Sequence, residues 1–283
     1  MRNEMFSSYG YACRELEQAG IPDARTDAGI ITETAYGTSL SKALAYKGEF
    51  PDGAYDRLCN MLERRKKGEP LQYIIGSWSF MGYTFAVGEG VLIPRSETEV
   101  LVENTVKRLK KYRFPTVYDL CAGSGCIGLS IKKMLPDARV FLIEKSPQAL
   151  RWLNENRLAL GLDHTTVAVK GDIILGYEAF SSLPPADCVI SNPPYIRTDE
   201  IDLLQKEVLC EPRMALDGGG DGLDFYRILS EKWFPYINEN GFISVECGEG
   251  QAESICAMFP ENAPKTVFSD YCSVQRFITV EKG

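Results

Sequence analysis

Asn192-Pro193-Pro194-Tyr195 comes directly after the apolar run Asp187-Cys188-Val189-Ile190-Ser191. That run reads as a short buried strand, and two successive prolines end it because neither has an N–H for a sheet ladder. The Asn side chain and the carbonyls beside it are then left at the open end of a sheet. A fixed amide oxygen next to a free carbonyl is a pair of acceptors suited to grip one planar NH2 group. A lone four-residue match is also what a plain Asn-Pro turn looks like, so the rest of the chain has to decide.

Three further stretches carry chemistry in the same way. A strand runs into Asp119-Leu120-Cys121-Ala122-Gly123-Ser124-Gly125-Cys126-Ile127-Gly128, a Gly-rich turn that lets a ligand approach the backbone at a helix N-terminus. The next strand ends at Glu144, whose carboxylate can accept both hydroxyls of a ribose. The third is succeeded by Gly171-Asp172-Ile173, where Asp172 can accept from an exocyclic amine and Ile173 can pack on a base. No Gly-Lys-Ser/Thr comes after the glycines, so a P-loop is excluded. The G-x-G-x-x-G spacing from Gly123 to Gly128 leaves Asp119 without a role in a dinucleotide site. Each feature is weak alone; their order on successive strands is not.

The elements that must position these residues can be read from spacing. Residues 1–70 carry helical periodicity between Gly20, Gly37, Gly48 and Gly68, with Phe6, Tyr9, Cys13 and Leu16 expected on one face and Leu58, Met61 and Leu62 on another. A small all-α N-terminal domain results, and Glu63–Lys67 should be a solvated helix end complementing the dipole. From 71 to 95, aromatics among glycines predict short strands or a hairpin that links this domain to the next. Ser96-Glu97-Thr98-Glu99 reads as a capping box opening a helix to about Lys111. In residues 96–283 strands at 117–121, 140–143, 166–169, 188–190 and 242–246 alternate with helices near 127–135, 148–160 and 223–236. This is the pattern of a mostly parallel, doubly wound α/β sheet. Two final strands, at 266–268 and 276–280, close it with an antiparallel hairpin.

Composition narrows the function. With 45% hydrophobic and 25% charged residues this is an ordinary globular chain. Glu4, Arg14, Glu15 and Glu17 argue against a signal peptide, and no apolar run approaches membrane-spanning length. Nine cysteines without a C-x-x-C pair fit a reducing cytoplasm. The formal charge of −8 argues against nucleic acid as principal partner. A single histidine, His164, excludes multi-His metal sites and His-based hydrolytic triads, and no metal site is expected.

The stretch Asp119–Gly125 resembles the first motif of class I S-adenosylmethionine-dependent methyltransferases, and Asn192-Pro193-Pro194-Tyr195-Ile196 resembles their amino-methyltransferase motif. Glu69-Pro70-Leu71-Gln72-Tyr73-Ile74-Ile75-Gly76 and Val91–Glu99 resemble the HemK-type release-factor glutamine methyltransferases. So do Glu211–Leu216, Glu246–Gln251 and Asp270 with Arg276, and the likeness covers about residues 1–280. It implies a Rossmann-like catalytic domain and S-adenosyl-L-methionine as cofactor. It also implies a substrate, the glutamine of the Gly-Gly-Gln motif of bacterial class I peptide-chain release factors. Carried over residue by residue, Asp119, Cys121, Ala122, Gly123, Ser124, Gly125, Glu144, Asp172, Ile173 and Asn192 would bind the cofactor. Asn192, Pro193, Pro194 and Tyr195 would carry catalysis, Tyr195 as a wall stacking on the target amide. Cys121 departs from the family's usual glycine, and Glu144 from its commoner aspartate. The helical domain would either dock the release factor or support the catalytic domain. A DNA adenine-N6 methyltransferase, using the same motif on a flipped base, and a scaffold that has lost catalysis are the alternatives.

Overall fold

The computed structural model describes residues 2–43 and 51–283, so Gly48 lies outside the described residues. The chain divides into two units, residues 1–77 with 205–210, and residues 78–204 with 211–283. That division falls after Ser77 rather than at 70 and 95. It also gives the helical unit six residues that the sequence pattern assigns to the catalytic half.

The helical unit holds α1 (Arg2–Gln18), α2 (Ala24–Tyr36), α3 (Leu40–Ala43), α4 (Ala54–Lys66) and α5 (Leu71–Ile75). The buried stripe of α1 is Met5, Ser8, Ala12 and Leu16, while Phe6 is exposed and Tyr9 and Cys13 are only half-buried. The expected face is therefore rotated. The reason is the partner: Ser8 and Ala12 are small enough for α2 to approach, and Ser8 Oγ bonds Tyr36 Oη at 2.8 Å. Residues 71–75 form a short helix between Pro70 and a left-handed Gly76, where a strand was expected.

Glu63–Lys67 is only in part a solvated helix end: Glu63 and Lys67 are exposed, Arg65 is not. Arg65 is buried, donating to Asp27 Oδ2 at 2.7 Å and pairing with Glu207 at 2.8 Å; Arg64 pairs with Glu69, and Lys66 with Glu15. Asp27 is itself buried, so Arg65 neutralises a carboxylate that water cannot reach. Glu207 lies in the returning segment, so the same guanidinium fastens residues 205–210 to this unit. Arg65→Ala should cost about 3–5 kcal/mol of stability in chemical denaturation, and the amides of 206–210 should exchange faster. A loss below about 1 kcal/mol, the range of exposed pairs, would show that Asp27 is not stranded.

The hairpin β1 (Ser77–Phe80) and β2 (Tyr83–Ala86) belongs to the second unit from Trp78 on, and is turned by Met81 and Gly82, both at positive φ. Next is α6 (Thr98–Leu109), but no capping box forms. Glu99 accepts instead from the N–H of Met81 at 2.5 Å, and Ser96 Oγ donates to Glu97. Then come β3 (Thr116–Leu120), α7 (Cys126–Met134), β4 (Arg139–Glu144), α8 (Pro147–Ala159), β5 (Thr166–Lys170), β6 (Cys188–Ser191), α9 (Asp224–Ile228), β7 (Phe242–Glu246), α10 (Ala252–Ala257), β8 (Lys265–Ser269) and β9 (Gln275–Glu281).

Seven strands order as β5-β4-β3-β6-β7-β9-β8; the first five run parallel and β9 lies antiparallel to both its neighbours. Alternate residues feed opposite faces. Val117, Val140 and Leu142 join a core with Leu129, Leu153 and Val106 from α6 to α8. Tyr118, Phe141 and Ile143 join the other face with Tyr226, Trp233 and Ile255. The chain steps outward from β3 to β5, then crosses back to β6, so the carboxyl ends of β3 and β6 flank the switch point where such sheets bind ligands, with β4 next to β3. The helix expected over 223–236 passes after Ile228 into a π turn and then a 3-10 turn, where Pro235 has no N–H for a continuing helical bond.

Candidate active site

A cavity of about 340 Å³ opens at those strand ends, within the size range of small-molecule sites. Its floor comes from the strand ends and one wall from the segment Gly90–Arg95. Of the residues singled out in the sequence, Cys121, Ala122, Gly123, Ser124, Glu144, Asp172, Ile173, Asn192 and Pro194 line it together. Asp119, Gly125, Pro193 and Tyr195 are not in its wall.

Asp119 is fully buried beneath the loop, its Oδ2 accepting the N–H of Gly128 at 2.8 Å. Burial pushes its carboxyl up to about 7, against that hydrogen bond and with the Glu144 charge adding to the rise. Oδ1 has no hydrogen-bond partner among the described residues, while that bond ties β3 to the first turn of α7. Gly128 allows this, since a Cβ there would meet Leu142 at 2.5 Å and Asp119 Oδ2 at 2.9 Å. Gly125 turns at φ +80 against Leu129 and Leu153, again behind the wall.

Glu144 does two things. Its Oε2 accepts the N–H of Gly123 at 2.8 Å and its Oε1 that of Ser146 at 2.7 Å, while the carboxylate faces the cavity. Cys121 stands at φ +60, a left-handed conformation that glycine adopts freely, which accounts for the sequence departure as a strained but accommodated one. Burial pushes its thiol up, so it stays protonated. Asp172 accepts from the N–H of Ile174 and from Lys145 Nζ at 2.7 Å. Burial raises that carboxyl, but the Lys145 and Ile174 donors outweigh it and hold it below the usual range.

Asn192 is held by a frame that sequence reasoning missed. Ser191 Oγ donates to the carbonyl of Leu120 at 2.6 Å, locking the end of β6 to β3. Beyond the prolines, the N–H of Ile196 donates to the Leu216 carbonyl at 2.9 Å, and the N–H of Gly218 to the Ile196 carbonyl at 2.8 Å. The backbone of Tyr195 lies so close to Gly218 and Gly222 that a Cβ on either would meet it at 2.7 or 2.5 Å. Gln251 Nε2 donates to the carbonyl of Tyr195 at 3.0 Å. The ring of Tyr195 packs toward Gly248 and the core beside it, and is not in the wall of this cavity. The glycine density of Asp217–Gly222 was the available signal for this frame.

Two more wall residues, Thr98 and Arg95, were not singled out either. Thr98 Oγ1 donates to Glu246 Oε2 at 2.6 Å and accepts from Asn192 Nδ2 at 3.4 Å. Arg95 pairs with Glu211, whose other oxygen accepts the N–H of Ile93 at 2.9 Å, fixing the Gly90–Arg95 wall to the segment that carries Pro212 and Met214.

The chain is similar to known proteins over most of its length. A family model described as PrmC N-terminal domain matches residues 9–76, and one described as Methyltransferase small domain matches residues 96–223. The release factor glutamine methyltransferase of Thermodesulfovibrio yellowstonii is 41% identical over 230 residues, covering 79% of this chain and 80% of that one. The protein of the same name from Geobacter sulfurreducens is 42% identical over 218 residues, covering 76% and 72%. That from Aquifex aeolicus is 31% identical over 271 residues, 95% of each. Among solved structures, the catalytic domain of hMettl16 in complex with the MAT2A 3'UTR hairpin 6 has a TM-score of 0.54 at 13% identity, covering 82% of this chain and 84% of that one, a likeness of fold alone. Among the described residues no helix is long and apolar enough to cross a membrane. The sheet has the class I methyltransferase fold, and a likeness this high over most of these relatives means that the chain belongs to the release factor glutamine methyltransferase family.

Proposed function

We propose that this protein moves a methyl group from S-adenosyl-L-methionine to the side-chain amide nitrogen of the glutamine in the Gly-Gly-Gln motif of a bacterial class I release factor. The observation that carries this is a single cavity holding the Gly-rich loop, two strand-end carboxylates and the amide of Asn192. The cavity suits the donor chemically. Glu144 offers carboxylate oxygens to ribose hydroxyls, Asp172 an acceptor to an adenine amine, and Ile173 an apolar face to the base. The bound donor supplies an electrophilic methyl group on a sulfonium.

The remaining chemistry falls to this chain. An amide nitrogen is a poor nucleophile because its lone pair is delocalised into the carbonyl. Asn192 Oδ1 would accept one hydrogen of the target NH2 and the backbone carbonyl of Pro193 the other, turning the lone pair toward the methyl. The same acceptors stabilise positive charge as it grows on nitrogen. Positioning of this kind can supply ~7–11 kcal/mol of barrier reduction. The proton then leaves for water from a strongly acidic N-methylated amide cation, so the reading needs no histidine base. Pro194 shapes the wall beside Asn192. The helical unit would either help to hold the release factor or support the catalytic unit. The site of action would be the cytoplasm.

Three outcomes test the reading. Glu144→Ala should weaken donor binding by ~1.5–3 kcal/mol in calorimetry, as loss of charged-acceptor hydrogen bonds would. Unchanged affinity in a folded variant would remove Glu144 from the site. Asn192→Ala should keep donor affinity within a few-fold and lower the single-turnover rate by roughly two orders of magnitude. A near-normal rate would assign amide orientation to another group. The intact protein should methylate a whole release factor far faster than free glutamine or duplex DNA, and the reverse preference would favour a flipped base as substrate.

A further inference from the structure

Glu246 is buried at the end of β7, outside the cavity wall, and methyl transfer by Asn192 and Pro193 gives it nothing to do. Its side chain accepts from Thr98, itself buried, which in turn is the residue that Asn192 touches. An ionised carboxylate can only accept, so the Thr98 hydroxyl must give its single proton to Glu246. The 2.6 Å separation is a well-formed O–H···O bond, as that donation requires. Thr98 then has only lone pairs left for its other neighbour. Of the two ends of the Asn192 amide, only the NH2 can face it, and the 3.4 Å contact is made by Nδ2.

We propose that Glu246, acting through Thr98, is a positioning residue that sets which way the Asn192 amide faces and so presents Oδ1, not the NH2, to the substrate nitrogen. The proposal rests on the methylation reading for its catalytic consequence, but the orientation itself does not. A flipped amide would offer a donor to a substrate NH2 that has only donors to give, and both acceptor contact and charge stabilisation would be lost.

The same logic gives a pH dependence. Burial raises the Glu246 carboxyl to about 7, opposed by the Thr98 bond and by the charge of Arg276 on β9, with Glu97 and Arg95 before α6 adding smaller effects of opposite sign. Tyr195, Tyr226, Cys126 and Cys247 also face it and stay neutral, because burial pushes each of them up. Once protonated, Glu246 can donate to Thr98, whose own proton is then free to bond Asn192 Oδ1. Turnover should therefore rise with pH through about 7 as Glu246 ionises.

The test compares Thr98→Val, Thr98→Ser and Glu246→Gln in the full chain. Thr98→Val should lower kcat tenfold or more, with donor Kd and release-factor KM within threefold of wild type, and both Thr98→Val and Glu246→Gln, which has no group to titrate, should lose the acid limb near pH 7. Thr98→Ser, which keeps the hydroxyl, should stay within threefold. Should Glu246→Gln not fold, the Val/Ser pair decides. A second readout needs no methyl transfer. The Asn192 side-chain NH2 resonances, identified by their absence in Asn192→Ala, should shift between pH 6 and 8 in wild type and not in Thr98→Val. A kcat above one-third of wild type in Thr98→Val, or wild-type amide resonances that ignore pH, would overturn the proposal. Loss of methylation in wild type with the expected resonance shifts would overturn only the functional reading.

Discussion

The carboxyl groups buried around the cavity draw their donors from the segments that line it or lie behind it. Asp119 takes the N–H of Gly128, Glu144 those of Gly123 and Ser146, Glu246 the hydroxyl of Thr98, and Glu211 the N–H of Ile93 with the Arg95 guanidinium. Hydrogen bonds to buried ionisable groups are worth more than those between neutral ones, and leaving such a group without a partner costs more still. Each loop is thus fixed by a group that cannot release it without a large penalty. The parallel sheet provides the common edge, and the crossover after β5 puts the gap in the right place.

The same arrangement explains why the Asn192 turn can be rigid with almost no regular structure around it. Two prolines end β6, so the chain cannot continue the ladder and must find other support. Gly218 and Gly222 supply it by allowing backbone to lie on backbone, and Gln251 adds a side-chain bond to the carbonyl of Tyr195. The pair of acceptors proposed for Asn192 and Pro193 would have to be in place before the reaction, and the frame would supply that preorganisation.

Much of this is legible in the sequence because it depends on local pattern. Alternating strands and helices point to the parallel sheet, and the final hairpin to its antiparallel edge. Glu144, Asp172 and Asn192 stand out because each sits where a strand pattern stops. The parts that are not legible depend on contacts between distant residues. Phe6 looks like core until Ser8 and Ala12 are seen to be the surface on which α2 packs. Arg65 looks like a solvated cation until Asp27, 38 positions away, is seen beneath it. The motif assigns Tyr195 to the cavity, whereas its backbone is gripped by the Gly218–Gly222 loop and its ring is carried toward Gly248. Asp119 reads as a ligand group because it ends a strand beside glycines; it holds the loop from behind. The bond from Thr98 to Glu246 spans 148 positions and has no local signature.

The central claim is that this cavity methylates an amide nitrogen presented by a protein loop. Its most direct test is where the methyl group arrives. The full chain, an isotopically labelled methyl donor and an intact class I release factor should yield, by tandem mass spectrometry, one labelled methyl on the side-chain nitrogen of the glutamine preceded by two glycines. Label on any other residue, or only in adenine of DNA supplied alongside, would contradict the account.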